Sequence, residues 1–409
     1  MCEAGLSLNA SGMEIDMKQD GIRRLTRWCG CLMVVAGCVV AWPLAGRAAS
    51  IDDQLQAIKA VGAEGQGHAA AIAAVKELSR GRSDSLIPIL RAFEDANPLA
   101  TNWLRGAFDA VAEREWKQSR KLPATELEAF VKDTTRNSEA RRLAYEWLVK
   151  IDPSVSDRVI PGMLRDSSPE FRRDAVQRLL DRAVKAQEGD KKPEAIALYR
   201  EALSGAIDDD QVKAIVAPLR ELGETVDLQK HFGFLTEWHL IGPFDNTDRK
   251  GYDVAYPPEM KVDLAAKYTG KMGEVAWERH ATEDEYGVLN IAKKTAPHKG
   301  AVTYGYTTFV TDKPRSIEIR LATPNAWKLW VNGELVFARD EYHRGTQLDQ
   351  YKVRAKLKSG TNAILLKVCQ NEQTEEWAQD WKYQLRVCDS AGAAILPSAV
   401  STTTSRLDR

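Results

Sequence analysis

The chain has few of the residues that build catalytic and metal centres. Its 409 residues include six histidines, and no two of them stand three or four positions apart, so a helical zinc pair is absent from the sequence. There is also no Gly-x-Ser-x-Gly nucleophile elbow and no Gly-x-x-x-x-Gly-Lys phosphate loop. The sequence therefore predicts a protein that is not an enzyme and that has no cofactor.

The chain also has little net charge. The formal net charge is −1 at pH 7; residues 50–230 carry 28 Lys and Arg against 31 Asp and Glu, and residues 231–397 carry 22 against 22. Neither part has the electropositive excess that nucleic-acid binding requires. We therefore expect no nucleic-acid partner.

A long apolar run occurs within the first 49 residues. Arg23, Arg24 and Arg27 precede the apolar run Trp28–Ala45, and residues suited to signal peptidase follow at 46–48. This order predicts a signal peptide over residues 1–49. It also predicts export, either to the periplasm or to the extracellular medium.

Two details of the leader stay open. Met13 or Met17 fits as the true start, and residues 35–38 fit a lipoprotein box with Cys38 as the anchor. The lipoprotein alternative is the weaker one, because apolar residues follow Cys38. No transmembrane span is expected after cleavage, since Pro43 interrupts a run shorter than the ~20 residues that a span requires.

Cysteine is scarce beyond the leader. Only Cys369 and Cys388 lie there, in a compartment that permits a disulfide. If the predicted strands Asn362–Gln370 and Trp381–Cys388 formed a simple hairpin, the two cysteines would stand about 20 Å apart along the strands. We therefore expect two buried free thiols.

Residues 50–230 have helical periodicity, with breakers at short intervals. Glu139–Ala144 aligns without gaps with Glu170–Ala175 at an offset of 31 residues, and Leu86–Leu90 echoes Val159–Leu164. Periods of this size predict stacked helix pairs, because each pair buries its apolar face only against the next.

From about residue 231 the apolar period changes to two, and this continues to residue 397. A Ser/Thr-rich tail, 398–409, is expected to be disordered. The span Asp248–Pro297 is predicted as long loops, with short strands around Trp277 and at Val288–Ile291. The predicted strands are Leu235–Ile241, Thr303–Val310, Ser316–Ala322, Trp327–Val331, Glu334–Ala338, Tyr351–Leu357, Asn362–Gln370 and Trp381–Cys388. Eight strands in this length favour a jelly-roll sandwich.

The clearest local signal is a hairpin about Asn332-Gly333, because these residues accept the positive φ of a two-residue turn. A simple register places Trp330 opposite Leu335, Leu329 opposite Val336, and Lys328 opposite Phe337. Apolar side chains then appear on both faces of the ribbon. We expect one face in a core and the other under a loop, another domain or a ligand.

The helical region resembles two repeat families. The segment Arg165–Ala175 resembles the turn and second helix of HEAT repeats, in which an aspartate-containing turn precedes a helix whose arginines brace neighbouring units. Ala195, Tyr199 and Ala202 resemble the small-aromatic-small spacing of tetratricopeptide repeats. These resemblances imply a mixed helical solenoid that holds a protein partner.

The strand region resembles galactose-binding-like β-sandwiches, which occur as accessory domains of exported bacterial proteins and in some glycoside hydrolases. The resemblance is carried by residues 327–334, 357–368 and 381–387, with an opening segment at 238–246. It implies an antiparallel jelly-roll sandwich that contacts carbohydrate or another envelope component. The predicted fold class is multidomain α and β, with a helical repeat domain over 50–230 and a β-sandwich over 231–397.

Six of the eleven tryptophans lie in the strand region, and aromatic faces stack on sugar rings. Trp377 is the predicted ligand contact, because it follows a polar loop, whereas core packing is the expectation for the other five. Arg344, Asp349, Gln370 and Asn371 flank strand ends, where loops cluster. They are the predicted polar contacts to a ligand.

Two other chemistries have candidates. Asp245, Asn246 and Asp248 offer oxygen ligands that suit a structural calcium ion, although turn capping explains them more simply. The carboxylate pairs at 340–341 and 375–376 could flank a glycosidic bond. Adjacent side chains on a strand point in opposite directions, however, so we do not expect catalysis there.

These patterns predict a non-catalytic exported protein in which helical repeats hold a protein partner and a β-sandwich binds carbohydrate or an envelope component. Two alternatives stay open. One is a purely structural scaffold in which the sandwich caps the solenoid, and the other is an accessory or degenerate component of a glycoside hydrolase.

Overall fold

The computed structural model describes residues 50–398. The predicted leader, with Cys38, Met13 and Met17, and residues 399–409 of the tail lie outside the described residues. Helices come first and antiparallel sheets follow. We call residues 50–232 the helical region and residues 233–398 the two-sheet region. In the described part of the chain, no helix combines the length and apolar character needed to cross a bilayer.

The α-helices are mostly short, and some of them begin at a side-chain cap. Asn97 and Asn137 each accept two backbone N–H groups of the following helix through their side-chain oxygen. The helices are α1 (Ile51–Lys59), α2 (His68–Leu78), α3 (Leu86–Arg91), α4 (Pro98–Ser119), α5 (Ala124–Lys132), α6 (Ser138–Ile151), α7 (Val155–Val159), α8 (Pro169–Glu188), α9 (Lys192–Gly205), α10 (Asp209–Glu221), α11 (Leu228–Phe232), α12 (Pro257–Met260) and α13 (Ile291–Lys294).

The echo at an offset of 31 residues corresponds to equivalent helices. α6 begins at Ser138 and α8 at Pro169, so the two matched segments occupy the same position in their helices. Arg142 of α6 pairs with Asp174 of α8, and Arg173 of α8 pairs with Asp210 of α10. Ion pairs therefore join every second helix along this part of the region.

The strands of the two-sheet region form two main antiparallel sheets. One has the order β4-β1-β6-β11-β8-β9 and the other the order β10-β7-β12-β5; β2 and β3 pair separately. The strands are β1 (Glu237–Asp245), β2 (Lys267–Gly270), β3 (Gly273–Ala276), β4 (Glu278–Ala281), β5 (Leu289–Asn290), β6 (Ala301–Thr311), β7 (Arg315–Ala322), β8 (Ala326–Val331), β9 (Glu334–Arg339), β10 (Tyr351–Leu357), β11 (Gly360–Gln370) and β12 (Lys382–Cys388).

The six-stranded sheet is covered on both faces, as the hairpin pattern predicts. On β8, Trp327 and Leu329 belong to the core shared with the four-stranded sheet. Trp330 belongs to a second cluster on the opposite face, which Tyr252 and Trp277 of the preceding long loop help to close. The sequence left a loop, another domain or a ligand as the possible cover of this second face, and in the structure a loop covers it.

The hairpin itself differs from the simple register. Asn332 and Gly333 have the predicted positive φ, at 53° and 85°, and Trp330 does pair with Leu335. The register then shifts, so Leu329 lies opposite Phe337 and not opposite Val336, and Lys328 lies opposite Ala338. One extra residue in β9 lets both Val336 and Phe337 contact the core between the sheets.

The two cysteine-bearing strands do not pair with each other. β11 pairs with β6 and β8 in the six-stranded sheet, whereas β12 pairs with β7 and β5 in the other sheet. Both edges of β11 are occupied, so β12 has no place beside it. Cys369 and Cys388 are nevertheless buried free thiols, as expected.

The last helices pack directly on the two-sheet region. Phe232 and Phe234 share a buried cluster with the apolar residues of α8, α9 and α10, and Tyr286 and Leu348 pack against this cluster. The hydroxyl of Tyr286 also donates to Asp209 at the start of α10, at 2.9 Å. Side chains of the two-sheet region thus cover the end of the helical core.

Candidate functional site

Loops from three parts of the two-sheet region are tied together at one place by Asn246, which follows β1. Its fully buried side-chain amide donates to the carbonyl of Gln370 at the end of β11, at 2.9 Å, and to the hydroxyl of Tyr342 in the β9–β10 loop, at 3.2 Å. We call Asn246, Tyr342, His343, Asn371 and Trp377 the loop-end cluster.

Gln370 fixes the segment that carries Trp377. Its amide nitrogen donates to the carbonyls of Ala378 and Asp380, at 3.1 and 3.2 Å. Its amide oxygen accepts from the side chain of Asn325 at 3.2 Å. Because the side chain is buried and bonded at both ends, Gln370 holds the turn Glu376–Ala378 in place.

Trp377 stands on this turn with its indole largely in solvent, at 62% exposure. His343 packs against it edge to face, with ring centroids 4.9 Å apart and an interplanar angle of 89°. Nε2 of His343 lies 3.1 Å from Oδ1 of Asn371, and an amide oxygen only accepts, so Nε2 carries the proton in this arrangement. Two rings at right angles therefore meet at the surface, and the buried amide of Asn371 holds one of them from below.

His343 adopts a left-handed backbone conformation, with φ of 58°. A non-glycine residue held there stores strain, and such residues concentrate at functional sites. No motif in the sequence predicts the contact between His343 and Trp377. The position of His343 in the same interstrand loop as Arg344 was the available signal.

Arg344 follows in the same loop and is exposed. Its guanidinium lies 3.4 Å from Glu341, and its side chain keeps 62% of its exposure. Its side chain therefore lies mostly in solvent, in the same loop as Tyr342 and His343.

Asp349 occupies a different place from the other predicted contacts. Its carboxylate accepts hydrogen bonds from Arg320 at 2.6 Å and from Arg386 at 2.7 and 2.5 Å. Arg386 also donates to the carbonyl of Phe232 at the end of the helical region, at 3.3 Å. Burial opposes ionisation of Asp349, yet the bonds and charges of Arg386 and Arg320 lower its pKa. None of these partners belongs to the loop-end cluster.

The calcium candidates have protein partners. The carboxylate of Asp245 accepts from Thr247 at 2.7 Å and pairs with Lys271 at 3.0 Å, and that of exposed Asp248 pairs with Lys250 at 2.9 Å. Asn246 is buried, and its side-chain amide donates to Gln370 and Tyr342 as described above. Within residues 50–398, no group of three or more His, Cys, Asp and Glu side chains is placed to hold a metal ion.

The tryptophans of the two-sheet region fall into two groups. Trp377 is the exposed one, and the other five are at most 9% exposed and sit in the two apolar clusters. Those five are Trp238, Trp277, Trp327, Trp330 and Trp381. The polar loop before Trp377 predicts this difference between Trp377 and the other five tryptophans.

Comparisons with known proteins add little. No family model matches the chain, and no curated protein sequence matches it. Among solved structures, a β-glucosidase from Kluyveromyces marxianus in complex with glucose aligns at 10% identity and a TM-score of 0.23, over 37% of this chain. The aligned part spans 16% of the length of that enzyme. A likeness at this level supports no statement about fold or function. The structure itself shows a mixed α and β protein, with helices first and antiparallel sheets after them.

Proposed function

We propose that this chain is an exported, non-catalytic binding protein whose loop-end cluster contacts carbohydrate. The observation that carries the proposal is the exposed indole of Trp377, which His343 and Gln370 hold in one orientation. A rigid exposed aromatic face binds the apolar face of a sugar ring at low entropic cost. The exposed guanidinium of Arg344 supplies directed hydrogen bonds to hydroxyl groups nearby, while the buried amide of Asn371 fixes His343.

The proposal extends to the rest of the molecule. The basic and apolar segments of residues 1–49 support export, and the galactose-binding-like resemblance supports a jelly-roll sandwich over residues 231–397. The ion pairs between equivalent helices support a HEAT-like repeat array over residues 50–230. Such an array offers a surface for a protein partner.

A glycan array probed with the chain from Ala49 onwards tests the carbohydrate part. We expect binding to at least one glycan and at least tenfold weaker binding by a Trp377→Ala variant, because stacking on the indole is lost. Leu335→Ala is the matched control, since Leu335 is also an exposed apolar side chain, at 49%. Uniform absence of binding, or an equal loss in both variants, would reject the carbohydrate proposal.

A structural scaffold is the second candidate, and the seam between the regions favours it. Phe234, Tyr286 and Leu348 cover apolar residues at the end of the helical core. A fragment of residues 50–233 would expose that surface, so it should aggregate or bind a hydrophobic dye, whereas the chain from Ala49 should not. A soluble, monomeric fragment without dye binding would count against a capping role.

A further inference from the structure

The outward face of β10 carries a regular row of positive charge. Lys352, Arg354 and Lys356 on β10, and Lys358 directly after its end, alternate with the buried Val353, Ala355 and Leu357, and all four cationic side chains are exposed. Side chains two residues apart on a strand point the same way and stand about 7 Å apart. The row is therefore about 20 Å long.

The four cations of the row are unpaired. Within residues 50–398, none of them has a carboxylate within 4.0 Å or a side-chain hydrogen bond to another residue. The carboxylates that line the adjoining hollows have other partners: Asp208 pairs with Arg173, Asp209 with Lys213, and Asp349 with Arg320 and Arg386. Glu318, in register with Arg354, pairs with Arg320 at 3.0 Å, and Asp389 accepts backbone N–H groups of Ala391 and Ala393.

The row borders a depression on this face of the four-stranded sheet. Two adjoining hollows of about 510 and 460 Å³ share Glu318 and Ser390. Arg354 and Lys356 line the first hollow beside Ser316 and Ser390. Lys352 lines the second hollow, which also contains the carboxylates of Asp208, Asp209 and Asp349. An extended chain can thus lie along the strand and meet one cation after another.

We propose that this face binds a linear anionic polysaccharide. The repeat of charge suits a polymer that carries carboxylate or sulfate groups at short intervals, and the exposed small residues Ser316 and Ser390 leave room for sugar rings. A membrane surface fits less well, because none of the exposed large apolar side chains lies on β7 or β10. Nucleic acid fits less well, because the net charge is −1 and no aromatic residue lines the two hollows.

Protection of a sheet edge is the simpler role that the row could have, since exposed lysines on an edge strand discourage pairing with other chains. The two roles differ in what they predict. A protective row has no preference among soluble polymers, whereas a binding row distinguishes anionic from neutral polysaccharides.

The test uses the chain from Ala49 with polygalacturonate, heparin and neutral dextran at low and high salt. A triple variant, Lys352→Gln, Arg354→Gln and Lys356→Gln, is compared with a control triple of equal charge change on the helical region, Lys121→Gln, Lys185→Gln and Lys192→Gln. We expect wild type to bind an anionic polymer and not dextran, with affinity falling as salt rises. The row triple should bind at least roughly tenfold more weakly and the control triple within about twofold of wild type.

Several results would overturn this proposal. They are absence of binding to both anionic polymers, equal loss in the two triple variants, and equal or tighter binding to phosphatidylglycerol vesicles or to an oligonucleotide. Trp377→Ala should leave this binding intact, so failure of the loop-end proposal and failure of the basic-row proposal are distinguishable.

Discussion

Arg141 and Asp166 form a bidentate ion pair that is closed off from solvent. The two terminal nitrogens of Arg141 donate to the two carboxylate oxygens at 2.8 and 2.7 Å, and the side chains are 0% and 2% exposed. Arg141 also donates to the carbonyl of Val131, and Asp166 accepts from the backbone of Ser168. One ion pair therefore joins α5, α6 and the turn before α8.

Removal of Arg141 should be among the most damaging changes to the helical region. Arg141→Met leaves the Asp166 carboxylate buried without its partner, and such losses cost about 3–5 kcal/mol. Urea unfolding followed by circular dichroism measures the free energy of unfolding. Arg158→Ala is the control, because Arg158 pairs with Asp152 at the exposed surface and its loss should leave the unfolding midpoint unchanged. Similar losses of unfolding free energy in both variants would contradict the prediction.

The turn at Gly333 depends on a positive φ that alanine tolerates poorly. Gly333→Ala has open space for its methyl group, so only the backbone at φ of 85° opposes it, and we expect a loss of about 1–2 kcal/mol. Gly106 lies inside α4, also with open space around a new methyl group. Gly106→Ala should therefore stabilise by about 0.5–1 kcal/mol. Thermal unfolding shifts of the same sign would refute this pair of predictions.

Acid should loosen the ion cluster around Asp349. Because the pKa of Asp349 is lowered in the folded protein, its contribution to stability is complete above the unfolded pKa of about 4 and is lost as pH falls through the folded pKa. We expect Asp349→Asn to be less stable than wild type between pH 5 and 7, with the difference shrinking below pH 4. Denaturant unfolding at several pH values between 3 and 7 measures this difference in stability.

Asp253→Asn serves as the control for the acid dependence, since the side chain of Asp253 is 88% exposed. The difference between this variant and wild type should stay small at every pH. A difference for Asp349→Asn that does not change on acidification would mean that its ionisation contributes nothing to stability.

The two thiols beyond the leader should resist modification while the protein is folded. Burial raises the pKa of Cys369 to about 12 and that of Cys388 to about 11, so little reactive thiolate exists at pH 8. With the chain from Ala49, a thiol-specific reagent should label neither cysteine natively and both in urea, as counted by intact mass. Rapid native labelling of either cysteine, or a mass two hydrogens lighter before reduction, would show the prediction to be wrong.

Much of the fold follows from local patterns in the sequence. The period-two segments predicted all eight longer strands to within a few residues, and Asn332-Gly333 predicted its turn because only certain residues tolerate that φ. The 31-residue echo predicted equivalent starts for α6 and α8. Each of these features depends on interactions between residues that are close in the chain.

The candidate site was only partly predictable. The polar loop before Trp377 indicated an exposed tryptophan, and Asn371 and Arg344 were placed near strand ends. The right-angle contact with His343 could not be predicted, because it depends on how two loops from different strands meet. Asp349 was grouped with Trp377 on the same argument, yet it joins Arg320 and Arg386, which no sequence spacing relates to it.

The sequence by itself determined where the chain changes from helices to strands, which side chains alternate on each strand, and that the β8–β9 ribbon needs cover on both faces. Only the tertiary structure decided that β11 and β12 belong to different sheets, that β9 carries an extra residue, and that Asn246 ties three loops together. The reason is physical: periodicity fixes which face of an element is apolar, whereas the choice of partner for that face depends on packing among residues far apart in the chain.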